Sequence, residues 1–126
     1  MAGQKQQGEY RIHYNAFMST TLTPDIARRV GVQRSGGTGV MLVNIRRDAR
    51  DQSLGDAVSG SVEGRVRDLL GNGRDLTFRE VREAGVVDYI AQFPVRNDDL
   101  LIFDLEVRPD DGPMIPVQAR QALYPE

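Results

Sequence analysis

The chain has 126 residues, enough for one domain with a core that is stable without staples and too few for two. It contains no cysteine, which excludes disulfides, thiolate metal sites and cysteine nucleophiles. Sixteen basic and 18 acidic side chains leave a formal net charge of -2, so no long-range field draws a phosphate backbone and nucleic acid is not expected as a partner.

Residues 1–8 are polar and glycine-containing and are expected to form a flexible leader to a single domain over 9–126. They hold no apolar signal core, and no apolar run in the chain approaches the roughly 20 residues that cross a bilayer. Lys5 is the one lysine among fifteen arginines, a usage that fits a GC-rich genome. From Tyr10 the dominant pattern is period-two alternation, which places apolar side chains on one face of a strand. Tyr10, Ile12 and Tyr14 form the first such run.

Thr23-Pro24-Asp25 then reads as a helix start, with Thr23 as cap, Pro24 at the first position and Asp25 at the positive end, and Gly31 can end it. Ile26 and Val30 are expected on its inner face, and the helix is expected to plug one end of the fold. Gly36-Gly37-Thr38-Gly39 lacks the lysine and the following helix of a phosphate cradle and reads as a turn. Met41, Val43 and Ile45 form the second strand, and Val58, Gly60, Val62, Gly64 and Val66 a third. Asn72-Gly73 is expected to supply the positive φ angles of a hairpin leading to Leu76 and Phe78.

Ala84-Gly85 marks a reversal before the alternation of Val87, Tyr89, Ala91 and Phe93. Arg96-Asn97-Asp98-Asp99 and Pro109-Asp110-Asp111-Gly112-Pro113 bracket Leu101, Phe103, Leu105 and Val107. Ile115 and Val117 end the series, and Pro116 between them suggests an edge strand, open to protection or to a partner's strand. The pattern predicts an all-β, immunoglobulin-like sandwich of about seven strands, with one short helix between the first two.

Catalytic parts do not converge. His13 is the single histidine, Ser19 and Thr20 lie outside any nucleophile elbow, and Gly-x-Ser-x-Gly does not occur. Joined to Met18, Met41 and Met114, His13 would make a soft copper site, although the methionines are scattered and suit core filling. Asp48, Asp51 and Asp56 are expected at one end with Glu83, Asp110 and Asp111, where calcium would want six to eight oxygens. Arg46, Arg47, Arg50 and Arg108 nearby favour an ion-paired rim. Asp98 and Asp99 belong to the other end.

Four blocks carry a family likeness: His13-Tyr14-Asn15-Ala16-Phe17 with Ser19-Thr20 and Leu22-Thr23-Pro24; Phe78-Arg79-Glu80-Val81-Arg82-Glu83; Ala91-Gln92-Phe93-Pro94 with Arg96-Asn97; and Leu123-Tyr124-Pro125-Glu126. On these the chain resembles a bacterial domain-of-unknown-function family, number forty-four twenty-six, of small exported proteins in Gram-negative proteobacteria. Met18 departs from the asparagine expected there. The resemblance implies a precursor with a signal peptide, with Met1 in place of a removed leader, and a periplasmic location. It brings no reaction, ligand or catalytic residue.

The polar motif residues Asn15, Ser19, Thr20, Arg79, Glu80, Arg96 and Asn97 are the candidate binding surface, or else braces of turns and of the helix cap. The expectation is a non-enzymatic periplasmic binding module with a protein partner, no cofactor and no metal. The alternative is a carrier of a small ligand, copper or calcium, and a hydrolase is the third reading.

Overall fold

A computed structural model describes residues 2–49 and 52–126. The elements in order are β1 (Ala2–Gln7), β2 (Tyr10–Met18), a 3-10 turn (Ser19–Thr21), α1 (Pro24–Val30), β3 (Thr38–Ala49), β4 (Gln52–Val58), β5 (Gly60–Arg67), β6 (Gly73–Thr77), β7 (Arg79–Glu83), β8 (Val86–Pro94), β9 (Asp99–Pro109) and β10 (Ile115–Leu123). They form two antiparallel sheets, as a β-sandwich requires. The first sheet has six strands in the order β1-β2-β3-β8-β7, with β4 also paired to β3. The second has four, β10-β9-β5-β6.

All seven strands read from alternation are present as β2, β3, β5, β6, β8, β9 and β10, and three more join them. Residues 2–7, expected as a flexible leader, pair in unbroken register along β2, from Ala2 opposite Asn15 to Gln7 opposite Tyr10. Gly3 makes this approach possible, because a Cβ there would run into the Tyr14 ring. The single run expected from Val58 to Val66 is two strands. The chain leaves the first sheet at Val58 and enters the second at Gly60, with Ser59 as the corner. Phe78 is a second one-residue corner, returning the chain from β6 to β7.

Between the sheets lies the main core, built from Ile12, Met41, Val43, Ile45, Phe103, Leu105, Val107 and Ile115 among others. Phe93 meets Phe103 edge-on, with centroids 5.2 Å apart, joining the two layers. A second, smaller core covers the opposite face of the first sheet. Val40 and Ile90 pack there with Val32, Phe17, Leu22, Val30, Leu42 and Val81. The helix therefore lies over a sheet face and does not plug an end.

The helix caps are those the sequence predicts. The Thr23 hydroxyl accepts from the Ile26 amide at 3.3 Å, and Gly31 ends the helix at φ 74°. Its buried face differs: Ala27 is buried and Ile26 is exposed. At the β5–β6 turn the left-handed residue is Gly71, at φ 90°, in place of Asn72-Gly73. The Asp68 carboxylate accepts from the Leu70 and Asn72 amides, both at 2.9 Å, and this side-chain-to-backbone closure sets the turn. Ala84 and Gly85 both have positive φ, 52° and 79°, the geometry of a tight hairpin.

Candidate functional site

The expected site residues fall into two groups with different work. Ser19 is fully buried; its hydroxyl donates to the Ser35 carbonyl and accepts from the Ser35 amide, each at 2.9 Å. The Thr20 hydroxyl donates to Glu126 at 3.0 Å. Arg79 donates to the carbonyls of Val30 and Gly31 and so closes the C-terminal end of α1. Glu80 accepts from the Tyr89 hydroxyl at 2.8 Å and pairs with Arg82 at 2.9 Å. These bonds hold its carboxyl below the ordinary range, with the Arg82 contact the larger cause. These four side chains brace the fold.

Asn15 stands mid-strand on β2, opposite Leu42 and half-buried, on the face away from the main core. Arg96 and Asn97 are exposed on the turn between β8 and β9 and line a cleft of about 440 Å³ at the end of the sandwich. The β5–β6 turn forms its other wall through Arg67, Asn72 and Arg74. Val66, Val95 and Leu101, all core residues, lie at its base. Arg67 is paired with Asp104 at 3.0 Å, but Arg74 and Arg96 have no ion-pair partner among the described residues. Asp68 and Asp99 also line the cleft, Asp68 with its carboxylate taken up by the turn amides. The two guanidinium groups that no carboxylate pairs suit a ligand that combines a carboxylate or other oxyanion with an apolar body.

The loop at 35–38 and the chain's last residues support this end. The Val95 amide donates to the Gly37 carbonyl and the Glu126 amide to the Gly36 carbonyl, both at 2.8 Å. A Cβ at Gly36 would collide with the Glu126 backbone, so this glycine-rich stretch serves close packing. The sequence singles out Asn72 only as a turn residue and does not single out Arg74. The signal available was their position in a turn that shares an end with Arg96-Asn97.

At the far end, acidic and basic groups interleave as the rim reading expects. Asp48 pairs with Arg11 at 3.4 Å, Glu83 with Arg29 at 3.7 Å, and Asp111 with Arg47. The Tyr10 hydroxyl donates to Asp111 at 2.8 Å, and this bond leads in holding the Asp111 carboxyl below its usual range. Met1, Arg50 and Asp51 lie outside the described residues. No group of three or more His, Cys, Asp or Glu side chains able to hold a metal occurs among the described residues. The copper grouping does not assemble: His13 pairs with Asn44, one position off the row of Ile12 and Ile45, and so faces away from the core that buries Met41.

A polar row crosses that outer face, with His13 opposite Asn44 and Asn44 donating to Asp88 at 3.4 Å. Burial raises the Asp88 carboxyl above its usual range. Burial, then Arg46 and Arg11, lower the His13 imidazole. The Asn44 Oδ1 is buried and receives no hydrogen bond from the described residues.

These features define a two-layer antiparallel β-sandwich with an arginine-rimmed cleft at one end and a helix laid over one outer face. The chain belongs to the family described as Domain of unknown function (DUF4426), whose model matches residues 4–126. It is similar to the crystal structure of a DUF4426 family protein from Pseudomonas aeruginosa PAO1, with 30% sequence identity, a TM-score of 0.85, and coverage of 99% of this chain and 96% of that chain. No curated protein matches it. Among the described residues no helix is long and apolar enough to cross a membrane.

Proposed function

We propose that this chain is a non-catalytic binding module of the periplasm that engages a protein partner through the Arg74–Arg96 cleft. The observation that carries the reading is that Arg74 and Arg96, on the two turns that wall the cleft, have no ion-pair partner among the described residues and share the cleft with the apolar Val66, Val95 and Leu101. The use is immunoglobulin-like, since sandwiches of that kind bind through turns gathered at one end. The periplasmic location follows from the resemblance to exported proteins. The partner is expected to present a carboxylate beside an apolar side chain.

A photo-crosslinking residue at Asn97 tests this in periplasmic extract. One defined protein should be captured, and Arg96→Glu with Arg74→Glu should abolish the capture while the fold persists. Turnover of a substrate by the purified protein would overturn the reading. Titration with copper and with calcium separates the carrier alternative, because an ion bound only by the native state must raise the melting temperature.

A further inference from the structure

Strand β7 forms an edge of the first sheet and pairs with β8 alone. An edge strand presents a row of N–H and C=O groups that another strand can take up. Along β7 the sequence is Arg79-Glu80-Val81-Arg82-Glu83, with four of the five residues exposed. Reversed end to end, this run sets each arginine against a glutamate and Val81 against itself. Among the other strands with a single partner, β1 (AGQKQQ), β4 (QSLGDAV), β6 (GRDLT) and β10 (IPVQARQAL) lack that symmetry. The β10 edge is also interrupted by Pro116, whose carbonyl accepts from Lys5 of β1.

We propose that β7 pairs antiparallel with β7 of a second copy of this chain, about a twofold axis through Val81, joining two six-stranded sheets into one. Such an interface is isologous, so one self-complementary strand satisfies both sides. Arg79 then lies opposite Glu83 of the other copy, and Glu80 opposite Arg82. Glu80 and Arg82 share one face and already bridge within a copy at 2.9 Å, so pairing produces four charges of alternating sign around a square. Arg79, Val81 and Glu83 share the other face, where Arg29 of α1 approaches Glu83 at 3.7 Å. Like charges directly opposite would oppose pairing, and every facing charge here is opposite in sign. A five-residue edge is small for an interface, which makes the association concentration-dependent.

Sedimentation velocity over a concentration series tests the proposal. The unaltered chain should self-associate, and Glu80→Arg or Arg82→Glu alone should weaken association by about tenfold or more, since each sets like charges opposite one another. An equimolar mixture of the two variants should restore it, because each then supplies the charges the other needs. Circular dichroism checks that both variants remain folded. A chain that stays monomeric throughout, or a mixture no better than its parts, overturns the proposal. Should either variant unfold, Val81→Cys decides. The chain has no cysteine, and Cα atoms facing across such an axis lie about 4.5–5.5 Å apart, within disulfide reach. Mild oxidation should give a linked dimer from Val81→Cys and none from Thr77→Cys; failure of the Val81→Cys protein to link overturns the proposal.

Discussion

The Gly60 amide donates to the Tyr89 hydroxyl at 2.8 Å, a hydrogen bond that runs from the first residue of β5 in one sheet to β8 in the other. The same hydroxyl donates to Glu80 on β7 at 2.8 Å. One phenol thus ties the corner at Ser59 to the edge of the opposite layer. Its ring is buried, and burial is the leading cause of its raised pKa. Tyr89→Phe keeps the packing and leaves the Gly60 amide without its acceptor. The expected loss is about 1–2 kcal/mol, read from urea unfolding. Gly60→Ala is expected to cost at least as much, because a Cβ there meets the Arg108 carbonyl.

Ser19 separates a bracing role from a binding role for the motif residues. Ser19→Ala removes the acceptor of the Ser35 amide and one of the two donors to the Ser35 carbonyl, which keeps the Thr38 amide at 3.2 Å, and it empties a fully buried side-chain position. The expected destabilisation is about 2 kcal/mol. Capture of a partner through the cleft, measured well below the melting temperature, should be unchanged.

Ala84 carries a side chain at φ 52°, where glycine has no steric penalty. Ala84→Gly relieves left-handed strain of about 1 kcal/mol, offset in part by the greater freedom of glycine in the unfolded chain. A net gain of about 0.5 kcal/mol is expected in denaturant unfolding. A loss would show that the methyl group makes a contact worth more than the strain.

Asp88 gives a pH signature. Its folded pKa is raised, so the native state holds the proton more tightly than the unfolded chain, and stability falls as pH rises from the unfolded pKa through the folded one. Asp88→Asn removes that loss and offers a donor to the unpaired Asn44 Oδ1. The variant should be more stable at neutral pH by about 1 kcal/mol or less, the site being partly open to solvent. The advantage should shrink as pH falls below the unfolded pKa. Thermal melts across an acid-to-neutral series would expose an advantage that failed to vary in this way.

Alternation made seven strands legible because each turns one face to the shared core. Two of the strands it missed bury little of their own. Ala2–Gln7 has no apolar rhythm and is held by pairing with β2, and Arg79–Glu83 shows a single valine among charges. The corner at Ser59 was hidden for another reason: Val58 and Val62 are both buried in the same core, so the rhythm continues although the chain changes layer. The outer core had a signal in the unbroken apolar run from Val40 to Val43, which fits a strand covered on both faces. Among the site residues, the polar character of Ser19, Thr20, Arg79 and Glu80 was plain. The braces of Ser19, Thr20 and Arg79 depend on Ser35, Glu126 and Val30, partners distant in sequence that no local pattern specifies, whereas Glu80 meets Tyr89 directly across the Ala84-Gly85 hairpin.

Two stitches, each a single residue long, fasten the layers along the margin that holds β4 to β7. On the opposite margin β1 and β10 face each other with no strand crossing between them, and Lys5 reaches across to Pro116. Local opening is expected to be rarest beside Ser59 and Phe78, where the chain itself holds the layers together. Amide exchange is expected to be fastest on the far margin, where a space of about 150 Å³ already lies between Gly3, Tyr14 and Ala119.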